Sequence, residues 1–336
     1  MTRSVEIALA VQSDKGDGEY AAIAALAEEH GFDVLSVYGD LLFQPPIYPL
    51  LEMARGTSRV RLGAACWNPY TMHPYEIAGQ LAALQQASGG RAYLGLARGS
   101  WLSAIGLRQD RPVTRLREAV AVIRALLRGA GEGVDGTAFR LAPGTRLRYS
   151  LPDVLPPLLI GTWGPITAAM AGELADEVKI GGTANPAMVR VMREWLAPGL
   201  ATAGRPDSAI GVVVGAVTVV DSDGAAARAR ARTEVAMYID VVGPLDPTLD
   251  LAPDLLPAVS RLVDAGRHED AGRLIPDDVL DRFAFSGTPD QVTAQAQRLI
   301  DAGASRIEFG TPHGLDGRTG IDLLGRAVLP RLTGLG

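Results

Sequence analysis

The chain has 336 residues, 47% of them hydrophobic, and a formal net charge of −6. That is enough apolar material for one large core, and no basic block offers a nucleic-acid footprint. No apolar run approaches the roughly 20 residues that a membrane-spanning helix needs. Met1-Thr2-Arg3-Ser4-Val5-Glu6 lacks the apolar run and small-residue cleavage site of a secretion signal, so a cytoplasmic enzyme is expected. A single cysteine, Cys66, excludes an internal disulfide framework. His30, His73, His268 and His313 are too scattered for a metal-ligand motif, and no metal is expected.

Apolar runs alternate with amphipathic stretches along the chain, which predicts βαβ units and a parallel sheet. Val5–Val11 reads as the first strand, and Glu19–His30 as a helix closing on Gly31. Asp33–Tyr38 is the second strand, Pro49–Arg55 a short helix, and Val60–Cys66 the third strand. Pro74–Ser88 is a helix, Arg91–Ala97 the fourth strand, and Arg111–Leu127 a helix. Gly133–Ser150 alternates with turn residues and reads as an inserted hairpin. Leu158–Gly161, Glu177–Ile180 and Ile210–Val220 are the fifth to seventh strands, with helices at Ile166–Leu174 and Pro186–Leu200. The stretch from Gly224 to Ala302 is mostly helical, broken by Pro244, Pro247, Pro253, Pro257 and Pro276, and carries a helical insertion near 240–285. Arg306–Gly310 is the eighth strand and Ile321–Leu332 the last helix. Eight strand–helix pairs without a linker predict a single (β/α)8 TIM barrel with insertions over residues 1–336.

Such barrels place chemistry at the C-terminal ends of their strands. The segments there are rich in Gly, Ser, Thr, Asn and Trp and poor in paired carboxylates, which suits a large planar cofactor better than a hydrolytic site. Gly181-Gly182-Thr183, with Asn185 as a natural helix cap, would let backbone N–H groups approach a phosphate, or is an ordinary βα turn. Trp163 would stack on a ring or close the barrel top, and Gly164-Pro165 starts a helix well with no further role. Asp40 would bond a ring atom or cap the next segment, and His73 before Pro74 is equally a helix cap. No G-x-G-x-x-G follows a predicted strand, so a dinucleotide fingerprint is not supported, and the sequence has no P-loop and no G-x-S-x-G elbow.

Leu62-Gly63-Ala64-Ala65-Cys66-Trp67-Asn68-Pro69-Tyr70-Thr71-Met72-His73-Pro74 resembles the third-strand motif of methylenetetrahydromethanopterin reductases, members of the bacterial luciferase-like superfamily. Ser88-Gly89-Gly90-Arg91 with Leu94-Gly95-Leu96-Ala97-Arg98-Gly99 is similar to a second superfamily stretch, and Gly161-Thr162-Trp163-Gly164-Pro165 with Ala171-Gly172-Glu173-Leu174-Ala175-Asp176 to a third. Ser286-Gly287-Thr288-Pro289-Asp290-Gln291-Val292 and Gly310-Thr311-Pro312-His313-Gly314-Leu315-Asp316 extend the resemblance toward the C-terminus.

The resemblance implies a luciferase-like barrel binding the deazaflavin coenzyme F420, or FMN in related branches. It implies a cis Ala65–Cys66 peptide under the ring, ring and ribityl contacts near Asp40, Asn68, Thr71, Gly99 and Ser100, and the phosphate near Gly164-Pro165 and Gly181-Gly182-Thr183. It also implies a homodimer, for which Pro74–Ser88 and the short helix before it are the candidate surface. The family's first-strand carboxylate is replaced by Leu9 between Ala8 and Ala10, its motif Arg by Met72, and its Asp-His pair by Asp40-Leu41. A substrate side turned apolar implies a small C=C, C=N or alcohol/carbonyl substrate, with Asp40 and His73 as candidate proton groups. Three readings follow: an F420-dependent oxidoreductase, an FMN-dependent monooxygenase, and a non-enzymatic barrel that has lost its cofactor.

Overall fold

The structure, a computed structural model, describes residues 5–334. Its strands in chain order are β1 (Glu6–Val11), β2 (Val34–Val37), β3 (Arg61–Ala64), β4 (Leu94–Leu96), β5 (Val134–Asp135), β6 (Arg140–Leu141), β7 (Leu158–Gly161), β8 (Glu177–Gly181), β9 (Gly211–Val220), β10 (Ala284–Gly287) and β11 (Arg306–His313). Eight of them run parallel in the order β3-β2-β1-β11-β9-β8-β7-β4. Two bridges, Leu62 with Ala92 and Trp67 with Leu96, join the ends of that row into a nearly closed barrel. Between these bridges five residues of β3 advance against four of β4, so β3 carries a bulge at the mouth.

Helices cover the outside because each presents an apolar stripe to the strands. Pro112–Arg128 buries Leu116, Ala119, Val120, Ile123 and Leu127, and starts on a proline whose missing N–H has no helical use. Pro289–Asp301 opens with a capping box in which Thr288 and Gln291 exchange backbone-to-side-chain bonds. Inside the barrel Ala8, Val34, Tyr93, Leu159 and Val213 form a separate small core. Below it Glu6, Arg61, Glu177 and Arg306 form a network of ion pairs, with Arg306 fully buried.

The eight expected barrel strands are all present, and β7 has the bounds read from sequence. The inserted hairpin is shorter than expected, two residues paired with two. The segment expected to be helical up to 285 ends instead in β10, which continues the edge of β9 beyond the point where β8 stops. Four residues are too few for a periodicity signal, and tertiary contact decides them: Phe285 packs edge-on against Phe309 at 5.1 Å. The last helix begins earlier, at Gly317, capped by the Asp316 carboxylate, and runs into a π turn at Leu324–Val328.

Candidate active site

The mouth is built around the Ala65–Cys66 peptide, which is cis as the sequence motif implies. Ala65 N–H donates to Val37 on one side and Trp67 N–H to Gly95 on the other, so the peptide is held between β2 and β4. Close approach removes side chains from its surroundings. A Cβ at Gly39 would lie 2.2 Å from the Cys66 carbonyl oxygen, and one at Gly161 would lie 3.2 Å from both Cys66 Sγ and Ala97 Cβ. The two glycines, one after β2 and one at the end of β7, thus pack directly on the Cys66 residue. Burial pushes the Cys66 thiol up to about 12, so it is a neutral surface at working pH.

On the β3–β4 side, Asn68 Oδ1 accepts from Tyr70 N–H, Thr71 N–H and the Thr71 hydroxyl. Gly99 lies directly against the Asn68 side chain, so Asn68, Thr71 and Gly99 are brought together, with Ser100 exposed beside them. His73 caps Pro74–Ala87 by accepting from Tyr75 N–H at 3.1 Å, and its ring packs on Phe139 of the hairpin at 5.3 Å. No contact among the described residues joins His73 to Asp40.

The two turns proposed for a phosphate differ. Gly182 and Thr183 N–H both donate to the Gly215 carbonyl, Ala184 N–H to the Arg282 carbonyl, and Asn185 N–H to the Thr183 hydroxyl. Thr183 is fully buried and its hydroxyl donates to Arg282. In the Gly181-Gly182-Thr183 turn the N–H groups of Gly182 and Thr183 and the Thr183 hydroxyl are thus engaged by protein acceptors. Gly182, at φ +79° and packed under Tyr238, serves the turn itself. Asn185 is not a simple helix cap either: its amide donates to Asp246 and Thr248, and its oxygen accepts from Ala187 N–H and Arg282.

At the other turn, Trp163 Nε1 donates to the Gly181 carbonyl at 2.8 Å and ties the tips of β7 and β8 together. Beyond it, Pro165–Leu174 begins without a side-chain cap, and Ile166 and Thr167 N–H have no acceptor among the described residues. A helix start with open donors and partial positive charge suits an anion.

Asp40 stands at the tip of β2, accessible from the mouth. Surrounding protein raises its pKa by desolvation, opposed by the Gln12 side chain and Lys179. Gln12 is 9% exposed, and its Oε1 is buried without a partner. Beneath Asp40, Lys179 is ion-paired with Glu308, whose other oxygen accepts from Ser36 at 2.6 Å. Ser36 meets the Tyr93 hydroxyl at 2.8 Å, and Tyr93 donates to the Gly63 carbonyl. The Lys179 ammonium lies 5.3 Å from the Tyr38 ring centroid. Burial, then Glu308 and Asp40, push the Tyr38 hydroxyl up, so it stays protonated.

Gln12, Ser36 and Glu308 were not singled out from sequence, and Lys179 only as a helper for a phosphate, although a signal existed. In Glu177-Val178-Lys179 and Arg306-Ile307-Glu308, charges alternate with apolar residues inside strands, and a period of two places them on one face. In a closed barrel that face is the interior.

These features define a (β/α)8 barrel with a flat, Cβ-poor mouth, an open helix start for an anion and one carboxylate over a buried ion pair. The sequence profile of the luciferase-like monooxygenase family matches residues 8–306, and the chain belongs to that family. A 5,10-methylenetetrahydromethanopterin reductase of Archaeoglobus fulgidus is 32% identical over 91% of this chain and 93% of its own length. An F420-dependent glucose-6-phosphate dehydrogenase of Nocardia farcinica is 30% identical, covering 95% of each chain. The solved structure of the coenzyme F420-dependent tetrahydromethanopterin reductase of Methanopyrus kandleri superimposes with a TM-score of 0.90 at 25% identity, over 98% of this chain and 100% of that one.

Proposed function

We propose that this barrel is an F420-dependent oxidoreductase that transfers hydride to or from a small, apolar alcohol or carbonyl compound. The observation that carries the reading is the close packing of Gly39 and Gly161 on the cis Ala65–Cys66 peptide, a floor that any Cβ at these two positions would displace and on which a flat ring would lie. The floor lies over Ala65 and Cys66. Asp40, Asn68, Thr71, Gly99 and Ser100 would meet the ring edge and ribityl chain, and Trp163, Gly164 and Pro165 would flank the phosphate at the Ile166 and Thr167 N–H groups. When bound, the deazaflavin supplies a two-electron hydride acceptor or donor.

The protein's own work is to orient, to exclude water and to move one proton. Asp40 takes the hydroxyl proton when an alcohol is oxidised and returns it in reduction, and the Gln12 amide holds that carboxylate. The apolar substrate class is supported by exposed side chains on the loops that follow the strands, Leu42, Phe43, Trp101 and Leu315.

Titrating the purified protein with F420 and with FMN tests the reading. Saturable binding of F420, with alcohol-dependent bleaching of its visible band, supports it. A protein that purifies yellow with FMN and ignores F420 is the monooxygenase alternative, and one that binds neither is a barrel without cofactor. We also propose a cytoplasmic homodimer paired through Pro74–Ala87 and Ile47–Arg55, where Tyr48, Tyr75 and Tyr149 are exposed and Tyr149 lies against Gly79. Among the described residues no helix is long and apolar enough to cross a membrane.

A further inference from the structure

Arg115 and Glu118 stand three residues apart on Pro112–Arg128, and so are neighbours on one face of that helix. Both reach the inserted hairpin. The Glu118 carboxylate accepts from the N–H groups of Thr137, Ala138 and Phe139 at 2.7–2.9 Å and from the Thr137 hydroxyl at 3.1 Å. Strands as short as β5 and β6 do not hold a hairpin in place by themselves, so this carboxylate sets where Phe139 lies. Phe139 is buried against His73, and the Arg115 guanidinium lies over its ring, 5.1 Å from the centroid. Arg115 also lies over the Tyr70 ring at 4.7 Å and donates to the Pro69 carbonyl at 3.4 Å. The Tyr70 hydroxyl donates to the Asp110 carbonyl at 2.9 Å, so Tyr70 is tied at its ring and at its tip. From the β4 side, Gln109 Nε2 donates to the Arg98 and Gly99 carbonyls at 2.6 and 2.8 Å, and Gly99 bears on Asn68. Arg115 Nε is buried without a partner, so the guanidinium stands here at a cost to stability.

We propose that Arg115, seated on Phe139 of the Glu118-anchored hairpin, is a positioning residue that holds the Asn68–Thr71 turn in the shape that receives the cofactor. The cofactor part rests on the proposed function above; the hold on the turn does not. The turn's own hydrogen bonds are local, from Tyr70 N–H, Thr71 N–H and the Thr71 hydroxyl to Asn68 Oδ1. They close the turn but tie it to no other element. Arg115 supplies such a tie, because a planar guanidinium stacks on aromatic rings and donates in its own plane at the same time, which a lysine ammonium does not. The hairpin thereby gains a use: it carries the second ring on which Arg115 rests. Tyr70 stands outside the hydrophobic core, and the core face of the helix is formed by Leu116, Ala119, Val120 and Ile123. Loss of the Arg115 contacts therefore falls on the turn, and the barrel keeps its packing.

The test needs no cofactor in its first arm, which is amide hydrogen exchange of the cofactor-free protein read by NMR at Tyr70 and Thr71. Arg115→Met and Phe139→Leu are each expected to speed exchange there about fivefold, with the amides of Ile123 and Leu126 at parent rates. Arg115→Lys keeps the charge without the plane and is expected to fall between Arg115→Met and the parent. Arg117→Gln breaks the Arg117–Glu173 pair on the same helix and is expected to leave the turn unchanged, which separates the hold on the turn from support of the helix. Unchanged exchange at Tyr70 and Thr71 in Arg115→Met and Phe139→Leu refutes the hold. Should either fail to fold, Glu118→Gln, which frees the hairpin and removes neither ring, decides in its place. The second arm is fluorescence titration with F420. The Kd is expected to rise about fivefold in each variant and no further in the two combined, because both loosen one turn. A turn that loosens while the Kd stays fixed overturns the cofactor role of the turn. A parent protein that binds no F420 refutes the proposed function, and the exchange arm still decides the hold.

Discussion

Replacing His313 with Gln isolates one ionisation and its effect on folding. His313 is 3% exposed at the end of β11, with Nε2 3.0 Å from the Ala10 carbonyl. Desolvation pushes its ring down to about 4 from an ordinary 6.5. Because the folded value lies below the unfolded one, the unfolded chain takes up a proton that the folded chain refuses. Stability from this residue is intact above pH 6.5 and is lost as the pH falls toward 4. The gap corresponds to about 3 kcal/mol in the acid limit and about 2 kcal/mol at about pH 5. Gln keeps an Nε2 donor for the Ala10 carbonyl and carries no titrating proton. Urea unfolding of both proteins at about pH 8 and about pH 5 should therefore show the parent losing about 2 kcal/mol more than His313→Gln. Glu28, held down to about 2 by N–H donors from Ser58, Arg59 and Val60, titrates below this window and is common to both. Equal losses in the two proteins would refute a buried, neutral His313.

Gly39→Ala should weaken cofactor binding at least tenfold in a fluorescence titration, because its Cβ meets the Cys66 carbonyl at 2.2 Å; unchanged binding places the ring elsewhere. Asp40→Asn should lower kcat by about a hundredfold or more and abolish the acid limb of the pH profile. Glu28→Gln should destabilise the fold by on the order of 1 kcal/mol at neutral pH, a difference that shrinks as the pH falls below 4.5 toward 2 and the parent carboxylate protonates. Light scattering of the purified protein should give twice 35.3 kDa, and a monomer at micromolar concentration argues against the dimer.

Local sequence determined much of this protein. Apolar runs between turn signals located the eight barrel strands, three to ten residues long, because a strand buried on both faces needs little beyond its own composition. The stretch from Gly63 to Pro74 carried the cis Ala65–Cys66 peptide and the Asn68–Thr71 turn, whose hydrogen bonds are all within three residues. Tertiary structure decided the rest. The Gly181-Gly182-Thr183 turn looks rich in donors as a string of letters, and the Gly215 carbonyl of the neighbouring strand uses two of them. Lys179 and Glu308 stand 129 residues apart and meet only because barrel closure and the register of β8, β9 and β11 turn both inward at one height. β10 exists because β9 outruns β8 and leaves an unpaired edge. In each case a long-range partner settled a hydrogen bond or a charge that local residues left open, since burying a polar group without a partner costs free energy that the partner recovers.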